Sequence, residues 1–178
     1  MTGKGSRISE PATSDSVLWR AECSRQHGRF PSGIVVRPAR VPDIDVIAKL
    51  AVAAFDGICG VGEGEYFRRK IANIMRGHYG SFIEAASFVA CDQRYARLAG
   101  AILVAEYAVY GDPVVALVAT HPACRRQGIG RALLYQCTDA LSREGFQRCC
   151  ANISRRNRVS SNFFASCDFT REMQGSSE

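Results

Sequence analysis

Two periodicities alternate along the chain. A short apolar run, Ile34-Val35-Val36-Arg37, predicts a strand; Pro42 and Asp43 then open a segment in which Ile44, Ile47, Ala48, Ala51 and Phe55 recur at helical spacing. Gly57, Gly60, Gly62 and Gly64 end that helix. A second is predicted over Glu65 to Arg76, burying Phe67, Ile71, Ile74 and Met75, with Gly77 placed to cap it. Three strands follow, Ser87 to Asp92, Arg97 to Tyr107 and Pro113 to Thr120, and the Gly111-Asp112-Pro113 punctuation makes them read as an antiparallel meander. Ala132, Leu133, Cys137, Ala140 and Leu141 define one face of a helix over Gly130 to Glu144, closed by Gly145. Gln147 to Ile153 returns as a strand, and Asn157 to Ser166 makes a short helix ending near Phe169. Before Ile34 the periodicity fades. Residues 1–33 mix Ser, Gly, Pro and Arg and are expected to form a flexible N-terminal tail, with one short helix near Ser16 to Ser24. Residues 34–178 are expected to form a single domain.

Composition bounds the class. With 178 residues, 47% hydrophobic and 22% charged, the chain suits one globular domain rather than a disordered or fibrous protein. Its longest apolar stretches, such as Ala99 to Ala105 and Val114 to Ala119, fall far short of the roughly 18 residues a bilayer span needs, so no membrane partner is expected. The eight cysteines contain no C-x-x-C pair, and Met1 to Ala12 lack the apolar core of a secretory signal. Reduced thiols in a cytoplasmic protein, without a metal site, are the expectation. The net charge of +6 comes from twenty Arg against three Lys. Guanidinium forks suit phosphate and carboxylate oxygens, although a solvated basic surface has the same composition. Without a groove-reading motif or basic aromatic platform, nucleic acid is not an expected partner.

The loop before the long helix carries the candidate chemistry: His121-Pro122-Ala123-Cys124-Arg125-Arg126-Gln127-Gly128-Ile129-Gly130-Arg131. Glycines between a strand and a helix N-terminus set unpaired backbone N–H groups and the positive end of the helix dipole where an anion binds. Each N–H bonded to a charged oxygen contributes about 1.5–3 kcal/mol, so several together hold a nucleotide-like ligand. Two other phosphate motifs fail on the letters. A G-x-G-x-x-G fingerprint needs glycine where Leu133 stands, and no G-x-x-x-x-G-K-[ST] occurs. The match is R-x-x-G-x-G, Arg125 through Gly130; taken alone it also reads as a glycine-rich turn that starts a helix for packing.

It does not stand alone. The run Leu117-Val118-Ala119-Thr120-His121-Pro122-x-x-Arg125-Arg126-Gln127-Gly128-Ile129-Gly130-x-x-Leu133-Leu134 resembles the acetyl-CoA motif of the GNAT superfamily of N-acetyltransferases. Asn157-x-x-Ser160-x-x-Phe163-Phe164-x-x-x-Asp168-Phe169 is similar to that family's N-x-x-A-x-x-(F/L)-Y-x-x-x-G-F, and Arg37-x-Ala39-x-x-x-Asp43 to its opening R-x-A-x-x-x-D. The resemblance spans about residues 34 to 169. It implies an α/β (α+β) fold with a mixed, mostly antiparallel sheet flanked by helices, and transfer of an acetyl group from acetyl-CoA to a small-molecule or protein amine. By the same resemblance, backbone groups of Val118, Ala119 and Thr120 hold the pantetheine arm and polarise the thioester carbonyl. The amides from Arg125 through Arg126, Gln127, Gly128, Ile129 and Gly130 to Arg131 bind the pyrophosphate, and Asn157 reaches the pantetheine. Arg126 and Arg131 either add charge there or are solvated surface residues.

The chemistry asks little of side chains beyond a base for the acceptor ammonium. Glu106, late in a predicted central strand, is the leading candidate, followed by Asp56, Glu63 and Glu65. The segment Phe55 to Tyr66 is expected by resemblance to border the acceptor pocket, where those last three carboxylates would suit a cationic amine. Three departures from the family pattern matter. Phe164 stands at the family's frequent general-acid tyrosine and is expected to pack beside the cofactor. Asp168 replaces the glycine before Phe169. Only nine residues follow Phe169, where the family continues into two more strands. The strand near Gln147 to Ile153 is therefore expected to have an open edge, covered by a partner such as a second copy. Phe164 and the missing strands also fit a non-catalytic acyl-CoA-binding or interaction module.

Overall fold

The structure, a computed structural model, describes residues 15–56 and 63–172. The expected glycine breaks at Gly57, Gly60 and Gly62 lie outside the described residues. Eight strands form one mixed sheet: β1 Ser16–Glu22, β2 Ile34–Pro38, β3 Ser81–Phe82, β4 Phe88–Asp92, β5 Arg97–Glu106, β6 Pro113–Thr120, β7 Arg148–Ser154 and β8 Thr170–Arg171. The helices are α1 Ile44–Phe55, α2 Glu63–Met75, α3 Ile129–Arg143 and α4 Arg158–Ala165. The strand order is β2-β4-β5-β6-β7-β1-β8, with β3 pairing a second stretch of β5. Every pairing is antiparallel except β6 with β7.

The sheet is covered on both faces, which explains why β5 is buried without interruption from Ala99 to Ala105. On one face α1 and α2 pack Ile47, Ala51, Ile71 and Ile74 against Val89, Ala101, Leu103, Leu117 and Ala119. On the other, α3 and α4 pack Ile129, Leu133, Cys137, Leu141 and Phe164 against Ala90, Ile102, Val104, Val115 and Ala151. Full burial of each such aliphatic side chain contributes about 1.5–3 kcal/mol. Gly77 and Gly145 follow α2 and α3 at positive φ, 74° and 93°, as C-terminal caps do. The opening R-x-A-x-x-x-D motif is a joint between β2 and α1. Both terminal guanidinium nitrogens of Arg37, Nη1 and Nη2, donate to Asp43 at 2.7 Å, the Arg40 N–H donates to the same carboxylate at 2.9 Å, and Ala39 is fully buried.

The N-terminal region departs from expectation. The segment read as a short helix near Ser16 to Ser24, within a flexible tail, is strand β1, paired along its whole length with β7 from Ser16↔Ser154 to Glu22↔Arg148. Its alternation supports that geometry: Val17 is buried, and Trp19, Ala21 and Cys23 pack on the α3/α4 core. On the opposite face Arg20 pairs with Asp112 and, at 3.2 Å, with Glu172. The β7 edge, expected to be open and to recruit a second copy, is therefore filled by the chain's own N-terminal strand, and β8 adds to the far side of β1. From there residues 23–33 return across α3 to β2 on the other side of the sheet, passing Ala132 so closely that a Cβ on Gly28 would lie 2.1 Å from the Ala132 carbonyl oxygen.

Candidate functional site

β6 and β7 run parallel but share only one register pair, Val114↔Cys150. Beyond it they part, and the gap opens into a cleft of about 770 Å³ lined on one side by Val115 to Thr120 and on the other by Ala151 to Ser154. A β-bulge in β6 accompanies the parting. Leu117 pairs with Leu103 of β5, and Val115 pairs with Val104, leaving Ala116 as the extra residue. Ala116 and Leu117 consequently both face α1 and α2, whereas Val115 and Val118 face α3 and α4. The splay leaves backbone groups on the β7-facing edge of β6 without ladder partners, available to an extended ligand.

The R-x-x-G-x-G loop lies at the mouth of this gap. Arg126 and Gly128 adopt left-handed φ of 60° and 79°, curling the loop so that successive amides face one concavity. Gly128 is the N-cap of α3; the first intrahelical bond runs from Ala132 N–H to Gly128 O, leaving the amides of Ile129, Gly130 and Arg131 open to an anion. The loop is braced from behind. Arg125 donates to the Ala54 carbonyl at the end of α1 (2.9 Å), and Gln127 Nε2 to the Ala123 carbonyl (3.3 Å). His121 Nδ1 accepts from Ala123 N–H at 3.2 Å, and desolvation, reinforced by Arg97 and Arg125, lowers its pKa, so it serves the loop as a neutral acceptor.

The α4 wall is built by its own cap: Asn157 Oδ1 accepts from Ser160 N–H at 3.0 Å. Phe164 is buried, with its ring edge-on to Phe163 and Phe169. Of the residues expected to hold the cosubstrate, Val118, Ala119, Thr120, Arg125, Arg126, Gly128, Ile129, Gly130, Arg131, Asn157 and Phe164 all line the cleft. Gln127 does not. Neither does Glu106, the expected base, which is exposed at the end of β5, opposite Pro113 in the ladder. Asp56 and Glu65 are likewise exposed and outside the lining. Among the described residues that line the cleft there is no carboxylate and no imidazole.

Several lining residues escaped the sequence reading. Ala116 carries the bulge, and Asn152 and Ser154 project from β7 beyond the splay. Tyr66 and Lys70 stand beside Phe67 on one stripe of α2, facing Ala54 and Phe55 of α1. Tyr66 closes the segment expected to border the acceptor pocket and Phe67 was expected in the core; Lys70, one turn beyond Tyr66, is the one of the three that was missed, although that spacing was available as a signal.

A splayed mixed sheet with an amide cradle at the N-terminus of its central helix is the arrangement of the GNAT fold. The family model described as the acetyltransferase (GNAT) domain matches residues 84–171. The chain's fold is similar to that of a GCN5-related N-acetyltransferase from Sphaerobacter thermophilus, with TM-score 0.67 and 14% identity over 88% of this chain and 48% of that one. A tandem GNAT protein from the clavulanic acid biosynthesis pathway gives 0.65 and 13% over 88% and 50%. The PaiA N-acetyltransferase from Thermoplasma acidophilum, solved with coenzyme A, gives 0.61 and 18% over 80% and 94%. The chain thus spans about half the length of the first two. No curated protein matches the sequence. No helix among the described residues is long and apolar enough to cross a membrane.

Proposed function

We propose that this domain transfers the acetyl group of acetyl-CoA directly to a primary amine within a ternary complex. The observation that carries the proposal is the parting of β6 from β7 with the Arg126 to Arg131 amides at its mouth. Those amides, with Arg126 and Arg131 beside them, would hold the pyrophosphate. The open edge of β6 from Ala116 to Thr120 would pair with the amide groups of the pantetheine arm as a neighbouring strand does, against Asn157, Ser160 and Phe164. When bound, acetyl-CoA supplies an acyl thioester that a neutral amine attacks, with the thiolate leaving. A backbone amide beside the bulge is suited to stabilise charge developing on the carbonyl oxygen, a contribution of about 2.7–4 kcal/mol for one preorganised donor. Phe164 donates no proton, and a thiol of pKa about 8.5 leaves as thiolate without one. With no carboxylate among the described lining, solvent takes the acceptor's proton.

The test is calorimetric titration of acetyl-CoA into wild type, Gly128→Ala and Gly128→Glu. A Cβ at Gly128 meets no atom within 4 Å, so neither variant's Cβ clashes and both carry the strain of a φ of 79°. Gly128→Glu is expected to weaken binding by about tenfold or more relative to Gly128→Ala, because its carboxylate enters the anion cradle. Equal affinity in the two variants would remove the cradle from the binding site. A second reading, a non-catalytic acyl-CoA-binding module, is favoured by the lining's lack of a carboxylate together with Phe164; acetyl-CoA consumption in the presence of any amine separates the two.

A further inference from the structure

We propose that the acceptor is an amine that also carries a carboxylate, as a free amino acid does, with Lys70 as the specificity-determining residue. The inference rests on reading the cleft as an acetyl-transfer site. The cradle and its arginines belong to the α3 end of the cleft, whereas Lys70 enters from α2, on the opposite face of the sheet. There the wall is aromatic. Phe55 and Phe67 stack with ring centroids 5.5 Å apart, Tyr66 meets Phe67 edge-on at 5.3 Å, and the Lys70 ammonium sits 5.9 Å from the Tyr66 ring centroid.

Lys70 is half-buried and has no carboxylate partner among the described residues. The acids on neighbouring elements are engaged elsewhere or turned outward. Asp43 binds Arg37, Asp45 binds Arg68 at 2.7 Å, and Asp56 and Glu65 lie outside the lining. An ammonium set beside an aromatic wall and without a carboxylate partner is placed to take one from a ligand. The cleft as a whole disfavours polycations, because Lys70, Arg125, Arg126 and Arg131 are the charged groups in its described lining. This reverses the expectation of a cationic amine drawn from Asp56, Glu63 and Glu65: the two whose side chains are described do not reach the cleft. A protein N-terminus is disfavoured too, since its amine has no carboxylate beside it. The fitting acceptor sets its carboxylate on Lys70 and its apolar body against Phe55, Tyr66 and Phe67.

The experiment compares thiol release from acetyl-CoA with matched acceptors, phenylalanine against phenethylamine and leucine against isoamylamine, with spermidine and a tripeptide N-terminus alongside. It uses wild type, Lys70→Gln and Lys70→Arg, with calorimetry of acetyl-CoA binding for each. In wild type, kcat/KM for the carboxylated member of each pair is expected to exceed that of its partner by about tenfold or more. Lys70→Gln should erase that preference mainly through KM, Lys70→Arg should retain most of it, and acetyl-CoA affinity should stay within about twofold in both. Preference for the decarboxylated amines, spermidine or the peptide overturns the proposal. So does a loss in Lys70→Gln that falls on acetyl-CoA affinity, which would assign Lys70 to the donor. If acetyl-CoA binds wild type yet no carboxylated amine is acetylated or binds the CoA-saturated protein, this inference fails while the cosubstrate reading stands. If acetyl-CoA does not bind, the reading of the cleft fails first.

Discussion

Asp168 holds a φ of 64° after α4, where the Phe169 N–H donates to the Phe164 carbonyl at 3.1 Å and closes the helix. The family's glycine at this place has no Cβ to strain there, whereas an L side chain does. Asp168→Gly is therefore expected to stabilise the fold by about 0.5–1 kcal/mol, seen as a raised thermal midpoint. A lowered midpoint would mean that the aspartate contributes something beyond its backbone. At the other end of the domain, hydrogen bonding from Arg37 lowers the Asp43 pKa below the ordinary carboxylate value, with the Arg40 amide adding to it against desolvation. A depressed folded-state pKa stabilises above the unfolded value near 3.9 and is lost as pH falls through the folded value. Asp43→Asn should cost about 1–3 kcal/mol in urea unfolding at pH 7 and progressively less below about pH 4. A pH-independent cost would show that the charge is not what matters.

Among the elements, β1 has the largest structural consequence. It fills an edge that would otherwise present the β7 ladder to solvent, and Trp19 and Val17 extend the core over it. Residues 23–33 then strap α3, the helix whose first turn forms the cradle. Gly28→Ala tests the strap: its methyl would collide with the Ala132 backbone, which cannot yield as a flexible side chain does. The expected loss is about 1–3 kcal/mol of stability, with weaker acetyl-CoA binding if α3 shifts. Unchanged unfolding would mean that the strap moves freely away from α3.

At the scale of the whole molecule, the splay joins the two faces of the sheet. It connects a cradle built by α3 and α4 to an aromatic chamber built by α1 and α2. Because solvent is the proposed proton acceptor, log kcat/KM should rise with pH until the acceptor amine's own pKa is passed. Glu106→Gln should leave both the profile and the turnover within about twofold, since Glu106 is exposed and outside the lining. A flattened or displaced profile in that variant would restore Glu106 as the base, acting through water.

What was legible in the sequence was local. Helical spacing marked Ile44 to Phe55 and Ala132 to Leu141, turn residues delimited Pro113 to Thr120, and the R-x-x-G-x-G run announced a helix N-terminus with free amides, because each depends on neighbours within a few residues. The Arg37 and Asp43 pair was visible as a motif; its role as a joint was not. Strand β1 has the alternation of a strand, yet one short strand means little until β7, about 130 residues later, offers an edge to pair with. The bulge at Ala116, the gap beyond Val114 and Cys150, and the delivery of the Tyr66 and Lys70 stripe of α2 to that cleft were decided by packing. Sequence order carries backbone preference and local chemistry, whereas a cleft between parted strands exists only once two helices on each face hold those strands apart.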